Sequence, residues 1–124
     1  PDNHFDIVTL QYASRHLGIL EVSKEINRVL KPGGHYYHCD MLRPSNPTVE
    51  KAYYAYLKGC LDIVSWLFGS KSAALNCRAY FIEAIKLFYS ADEFSDLLRS
   101  SGFTNVKSTE VFGGMVAYHK ARKP

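Results

Sequence analysis

Cysteine is scarce, with only Cys39, Cys60 and Cys77 in 124 residues. An odd number with no C-x-x-C pair argues against a disulfide framework and for reduced thiols in a cytoplasmic compartment. A basic stripe is missing too. The formal charge is +3, and the positive residues are scattered except Lys120, Arg122 and Lys123, which read as a solvated C-terminal tail. Nucleic-acid binding is therefore not expected. No apolar run is long enough to span a bilayer, because the longest, Cys60 to Phe68, is broken by Asp62. The polar opening Pro1-Asp2-Asn3-His4 carries no secretory signal. Repeats, low-complexity tracts and linkers are also lacking, so residues 1–124 read as one domain.

Aromatic residues are what the chain has in excess, at 14%, against an ordinary 47% hydrophobic fraction. Phe5 to Leu10 reads as a strand. Ile19, Val22, Ile26, Val29 and Leu30 recur near the helical period. Pro32 and Gly33-Gly34 stop that helix in a turn, and His35 to Met41 forms a second strand. Strand, helix and strand in this order predict a parallel pair. Asn46-Pro47 opens a further helix, with a capping side chain before proline at the first position. Its apolar stripe is Val49, Tyr53, Tyr56, Cys60, Ile63, Val64 and Leu67, with Gly59 inside at a cost of about 1 kcal/mol. Another helix is expected over Cys77 to Phe88, with Phe81, Ile85 and Phe88 on one face. Ser90 to Glu93 is a capping box opening a helix that ends at Gly102. Strands near Val106–Val111 and Met115–His119 should pair across Gly113-Gly114. The fold class is α/β: a parallel βαβ, a helical insert over about 46–89, and a terminal antiparallel hairpin.

Pro1-Asp2-Asn3-x-Phe5-Asp6, Arg15-His16-Leu17 and Arg28-Val29-Leu30-Lys31-Pro32-Gly33-Gly34 resemble the run found in class I S-adenosylmethionine methyltransferases. Ala52-Tyr53-x-Ala55-Tyr56, Tyr80-Phe81-x-Glu83-Ala84-Ile85, Ser101-Gly102-Phe103 and Gly114 to Lys120 narrow the likeness. Together they resemble the ubiquinone/menaquinone-biosynthesis C-methyltransferase family, essentially end to end. The resemblance implies the C-terminal half of a Rossmann-like sheet, lacking the first three strands and the glycine-rich loop that cradles the donor. It implies S-adenosylmethionine as cofactor of the complete domain, and a small aromatic or quinol acceptor. It also implies that this chain does not bind the donor tightly alone. Partners consistent with it are a complementing N-terminal half or a second copy, with peripheral membrane contact through a lipophilic acceptor.

By the same resemblance, Gln11 stands where the family usually has a serine that contacts the cofactor, and Tyr12 follows it. The alternative is that both simply lead the strand into a loop. Arg15-His16 matches the family's Arg-Asn pair beside the quinol. A guanidinium stabilises a phenolate and a histidine accepts its proton near neutral pH; the alternative is a solvated loop. Asp40 replaces a usual glutamate, and Leu42 a usual serine. His35 and His38 with Cys39 and Asp40 suggest a metal, but strand residues three apart face opposite ways, so no metal is expected. The insert's Tyr53, Tyr56, Trp66 and Phe68 cover the active site in the family, whereas aromatic stripes more often form core or interface. Two functions follow: the acceptor side of a methyltransferase, inactive alone, or a non-catalytic remnant that self-associates through a bared sheet.

Overall fold

Apolar and β-branched residues form β1 at Phe5–Gln11, and the periodic positions after it form α1 at Ile19–Val29. This computed structural model describes residues 1–69 and 71–124, with side chains at all of these except 71–75, 77, 78 and 81. β2 (Leu30–Met41) runs parallel to β1. It begins earlier than expected, because Pro32-Gly33-Gly34 is a bulge within the strand and not a turn ahead of it. Phe5 pairs with Leu30 and Ile7 with His35, so a step of two residues on β1 meets a step of five on β2. Gly33 takes φ +82°, and a Cβ on Gly34 would lie 3.0 Å from the Asp6 carbonyl oxygen. Backbone approaches too closely there for any side chain.

The insert comprises α2 (Pro47–Phe68) and α3 (Lys71–Lys86), and α4 covers Ala91–Ser100. Asn46 accepts from the Thr48 amide and caps α2, as its sequence requires. The third helix starts earlier than the expected Cys77; Ile85 is buried, while the Cys77 and Phe81 side chains lie outside the described residues. Ser90 and Glu93 close a reciprocal capping box on α4. β3 (Thr104–Val111) and β4 (Val116–Arg122) are antiparallel across a turn at Phe112–Gly114. β4 inserts beside β2, giving the order β1-β2-β4-β3. The C-terminal basic residues are not a solvated tail. Lys120 and Arg122 belong to β4, and the Lys123 ammonium donates to Asn3 Oδ1 at 2.7 Å and the Leu30 carbonyl at 2.8 Å.

One face of the sheet carries the core. Ile19 and Ile26 of α1 and Phe94, Leu97 and Leu98 of α4 cluster with Leu30, Tyr36, Ala117 and Ala121. Strand alternation sends the next residues to the other face, where Ile7, Tyr37 and Tyr118 are 58%, 37% and 52% exposed. The α2 stripe does not cover it. Tyr56, Ile63, Val64 and Leu67 are exposed, as are Trp66 and Phe68, and α2 packs chiefly on α3. Among the described residues of α2 only Tyr53 is buried, so most of the aromatic stripe is not core in this chain. No helix among the described residues is long and apolar enough to cross a membrane.

Candidate functional site

The C-terminal ends of β1 and β2 lie side by side, where an open α/β sheet places its ligand. β2 turns Tyr36, His38 and Asp40 toward the helices. β1 exits into a 3-10 turn, Ser14–His16, that caps the Asp40 carboxylate. The Ser14 amide donates to Asp40 Oδ2 at 3.1 Å and the Ser14 hydroxyl donates to the same oxygen. The Met41 amide donates to Oδ1 at 2.7 Å. Arg15 Nε lies 3.8 Å from Oδ1, with the two side chains 11% and 0% exposed. Asp40 is thus a buried anion whose hydrogen bonds and neighbouring cation offset its desolvation.

His38 adds a fixed orientation. Its Nε2 is 2.9 Å from Ser14 Oγ, and that hydroxyl's only proton is committed to Asp40. His38 therefore donates from Nε2, leaving Nδ1 bare, and Nδ1 has no partner among the described residues. Burial pushes the His38 pKa down to about 4, His119 adds to the fall, and Asp40 opposes it. The imidazole stacks on Phe94 at 4.1 Å. His35 lies three residues earlier, half-buried and stacked with Tyr37 at 6.2 Å. No group of three metal-ligating side chains converges among the described residues.

The four residues singled out from the sequence separate into two pairs. Arg15 faces Asp40, and His16 is exposed with Nδ1 3.3 Å from the Tyr80 hydroxyl of α3. Gln11 and Tyr12 instead border an open cavity of about 590 Å³ on the bare sheet face, with Tyr37, Cys39, Tyr118 and Lys120. Tyr12 adopts φ +51° and is 54% exposed. Its hydroxyl is 4.0 Å from Cys39 Sγ, a contact that raises its pKa. The donor implied by the resemblance fits here on one side only. Gln11 and Tyr12 can form a wall for it, while the positive-φ glycines among the described residues close a bulge, end helices and turn the hairpin.

One residue of the site, Ser14, was not singled out from sequence. Ser14 carries no motif and reaches Asp40, 26 residues away, only through β1–β2 pairing. Tyr53, which the resemblance places in the insert over the active site, is buried, and its hydroxyl has no hydrogen-bond partner among the described residues. Helical periodicity marks the stripe but not which hydroxyl ends up unpaired.

Sheet order, crossover and the position of this site define the class: a Rossmann-like class I methyltransferase fold, represented by its C-terminal portion. Within that class, the chain belongs to the ubiE/COQ5 methyltransferase family, whose model matches residues 1–123. It is 31% identical over 125 residues to the ubiquinone/menaquinone biosynthesis C-methyltransferase UbiE of Stutzerimonas stutzeri, covering 100% of this chain and 48% of that protein. It is 32% identical over 126 residues to the demethylmenaquinone methyltransferase of Clavibacter sepedonicus, covering 99% and 49%. The chain therefore spans about half the length of the curated relatives it matches. A SAM-dependent methyltransferase from Aquifex aeolicus superposes with TM-score 0.59 at 18% identity, over all of this chain and 48% of that one. That likeness concerns the fold alone.

Proposed function

We propose that this chain is the acceptor-side part of a cytoplasmic S-adenosylmethionine-dependent methyltransferase acting on a ring carbon of a small aromatic or quinol. One observation carries the reading: Arg15 is held against a buried Asp40 at the ligand end of the sheet. The donor, when bound, supplies an electrophilic methyl group. Arg15 stabilises the phenolate oxygen as the ring becomes nucleophilic. When the Tyr80 hydroxyl accepts from His16 Nδ1–H, His16 Nε2 presents the lone pair that takes a proton. Gln11 and Tyr12 wall the donor. In this reading the glycine cradle lies outside residues 1–124, on the same or a separate polypeptide, and these residues alone are inactive. Lipophilic acceptors suit the exposed Trp66 and Phe68 of α2, which favour peripheral membrane contact.

Isothermal calorimetry tests the reading. The chain alone shows no saturable S-adenosylmethionine binding below the millimolar range, about 4 kcal/mol; micromolar affinity overturns the inactive-alone reading. Mixed with a relative's N-terminal half, it transfers labelled methyl to a short-chain hydroquinone. Absence of transfer, with both halves folded and associated, removes the enzymatic assignment. The second reading, a non-catalytic self-associating module, is favoured by the bare sheet face of Ile7, Tyr37 and Tyr118.

A further inference from the structure

Two strand pairings collect positive charge on the bare sheet face. Lys107 of β3 stands directly opposite Lys120 of β4, and Arg122, two residues along β4, stands opposite His35 of β2. Residues two apart on a strand share a face, so these side chains form one cluster across three strands. With Asn105 and Ala121 they line a cavity of about 330 Å³. Like charges directly opposite on neighbouring strands destabilise a sheet, and the lining holds no acid to offset them. Acids of the adjoining segments are engaged elsewhere. Asp6 accepts from the Lys31 ammonium at 2.9 Å, Asp2 pairs with Arg28, and Glu110 accepts from the Ser45 hydroxyl at 3.4 Å. Among the described residues, Lys107, Lys120 and Arg122 form no ion pair.

The backbone is shaped around the same spot. Thr104 pairs with Arg122 and Lys107 with Lys120, so a step of three residues on β3 meets a step of two on β4. That bulge holds Asn105 at φ +50° and adds it to the lining; bulges commonly re-aim a side chain in this way. On the other flank, a Cβ on Gly33 would lie 3.4 Å from Arg122 Nη2, so the glycine leaves the guanidinium room. The cavity lies at the end of the β2–β4 ladder opposite Met41 and Val116, away from Asp40.

We infer that this cavity is a binding site for a diphosphate group. Arginine offers a planar fork that matches phosphate oxygens, and lysine a compact charge. The Asn105 amide adds neutral donors. Lys107, Lys120 and Arg122 around one cavity suit a multiply charged anion, whereas a single carboxylate would leave two of them uncompensated. The site is on the sheet face turned from the helices, and the inference does not rest on methyl transfer.

Calorimetry on the chain at constant ionic strength tests it with pyrophosphate, sulfate, ADP and a hexaglutamate peptide. Pyrophosphate binds about tenfold more tightly than sulfate. Lys107→Gln and Arg122→Gln each weaken it about tenfold, the loss of one charge-assisted hydrogen bond. Lys24→Gln, on the exposed side of α1, leaves it unchanged. The melting temperature of Lys107→Gln stays level or rises, because a like-charge pair has been removed; a fall would assign the lysine a structural role instead. ADP binding more tightly than pyrophosphate makes a nucleotide the source of the group, and weaker binding makes it a free diphosphate. Pyrophosphate no tighter than sulfate, or equal losses in Lys24→Gln and Lys107→Gln, overturns the assignment. Hexaglutamate binding more tightly than pyrophosphate overturns it too, and makes the cluster a docking surface for an acidic protein segment.

Discussion

Ser14, Met41 and Arg15 converge on the Asp40 carboxylate from the β1 exit and from β2 itself. Asp40→Asn keeps the shape but removes the charge that offsets Arg15. Breaking one pair of a buried cation costs about 3 kcal/mol, read as a lower urea midpoint; an unchanged midpoint shows that the Asp40 charge is not what stabilises Arg15. His38 gives a second test, through pH. Its folded pKa, about 4, lies below the ordinary 6.5, so the unfolded chain binds the proton more readily. Stability is complete above about pH 6.5 and falls as pH drops toward 4, by up to about 3 kcal/mol. His119, lowered mainly by burial, acts in the same direction. Thermal melts from pH 7.5 to 4 should show this decline, and a flat profile between 6.5 and 4.5 rules it out. The family pattern singles out Arg15 and His16, and the structure sets Arg15 against Asp40 and His16 beside Tyr80. Ser14 was not legible, since its contact with Asp40 comes from tertiary placement that no local motif encodes.

Helix starts were legible because they are local. Asn46 with Pro47, and Ser90 with Glu93, satisfy free amides within one turn of chain. The Pro32-Gly33-Gly34 bulge was not, because a turn and a bulge use the same residues and only pairing with β1 separates them. The α2 stripe shows the limit of periodicity: spacing identifies an apolar face but not what it meets. Gly59 offers a test at this scale. It is exposed in the interior of α2, and a Cβ placed on it meets nothing within 4 Å. Gly59→Ala should stabilise α2 by about 1 kcal/mol, slowing amide exchange in that helix. Faster exchange there means that the glycine is needed for a contact that the helix alone does not show.

The molecule as a whole is a sheet with helices on one side. Its other face exposes Ile7, Tyr37 and Tyr118, and β1 leaves an unpaired edge at one end of the sheet order. Such a surface favours burial, yet it is not uniformly apolar. Lys107 pairs directly across from Lys120, whose ammonium sits 5.4 Å from the Tyr37 ring centre. Two copies packed face to face bring four such charges together, an arrangement that opposes association at low salt. Salt screens repulsion between exposed charges over about 8–10 Å at physiological strength while leaving the apolar contribution in place. Sedimentation of the isolated chain should therefore show dimers whose dissociation constant falls as salt rises from 50 to 500 mM, about tenfold or less. Ile7→Lys should abolish them, and an added N-terminal half should displace the second copy if both seek the same face. A strict monomer at high protein concentration and high salt defeats self-association and leaves the complementing half as the occupant.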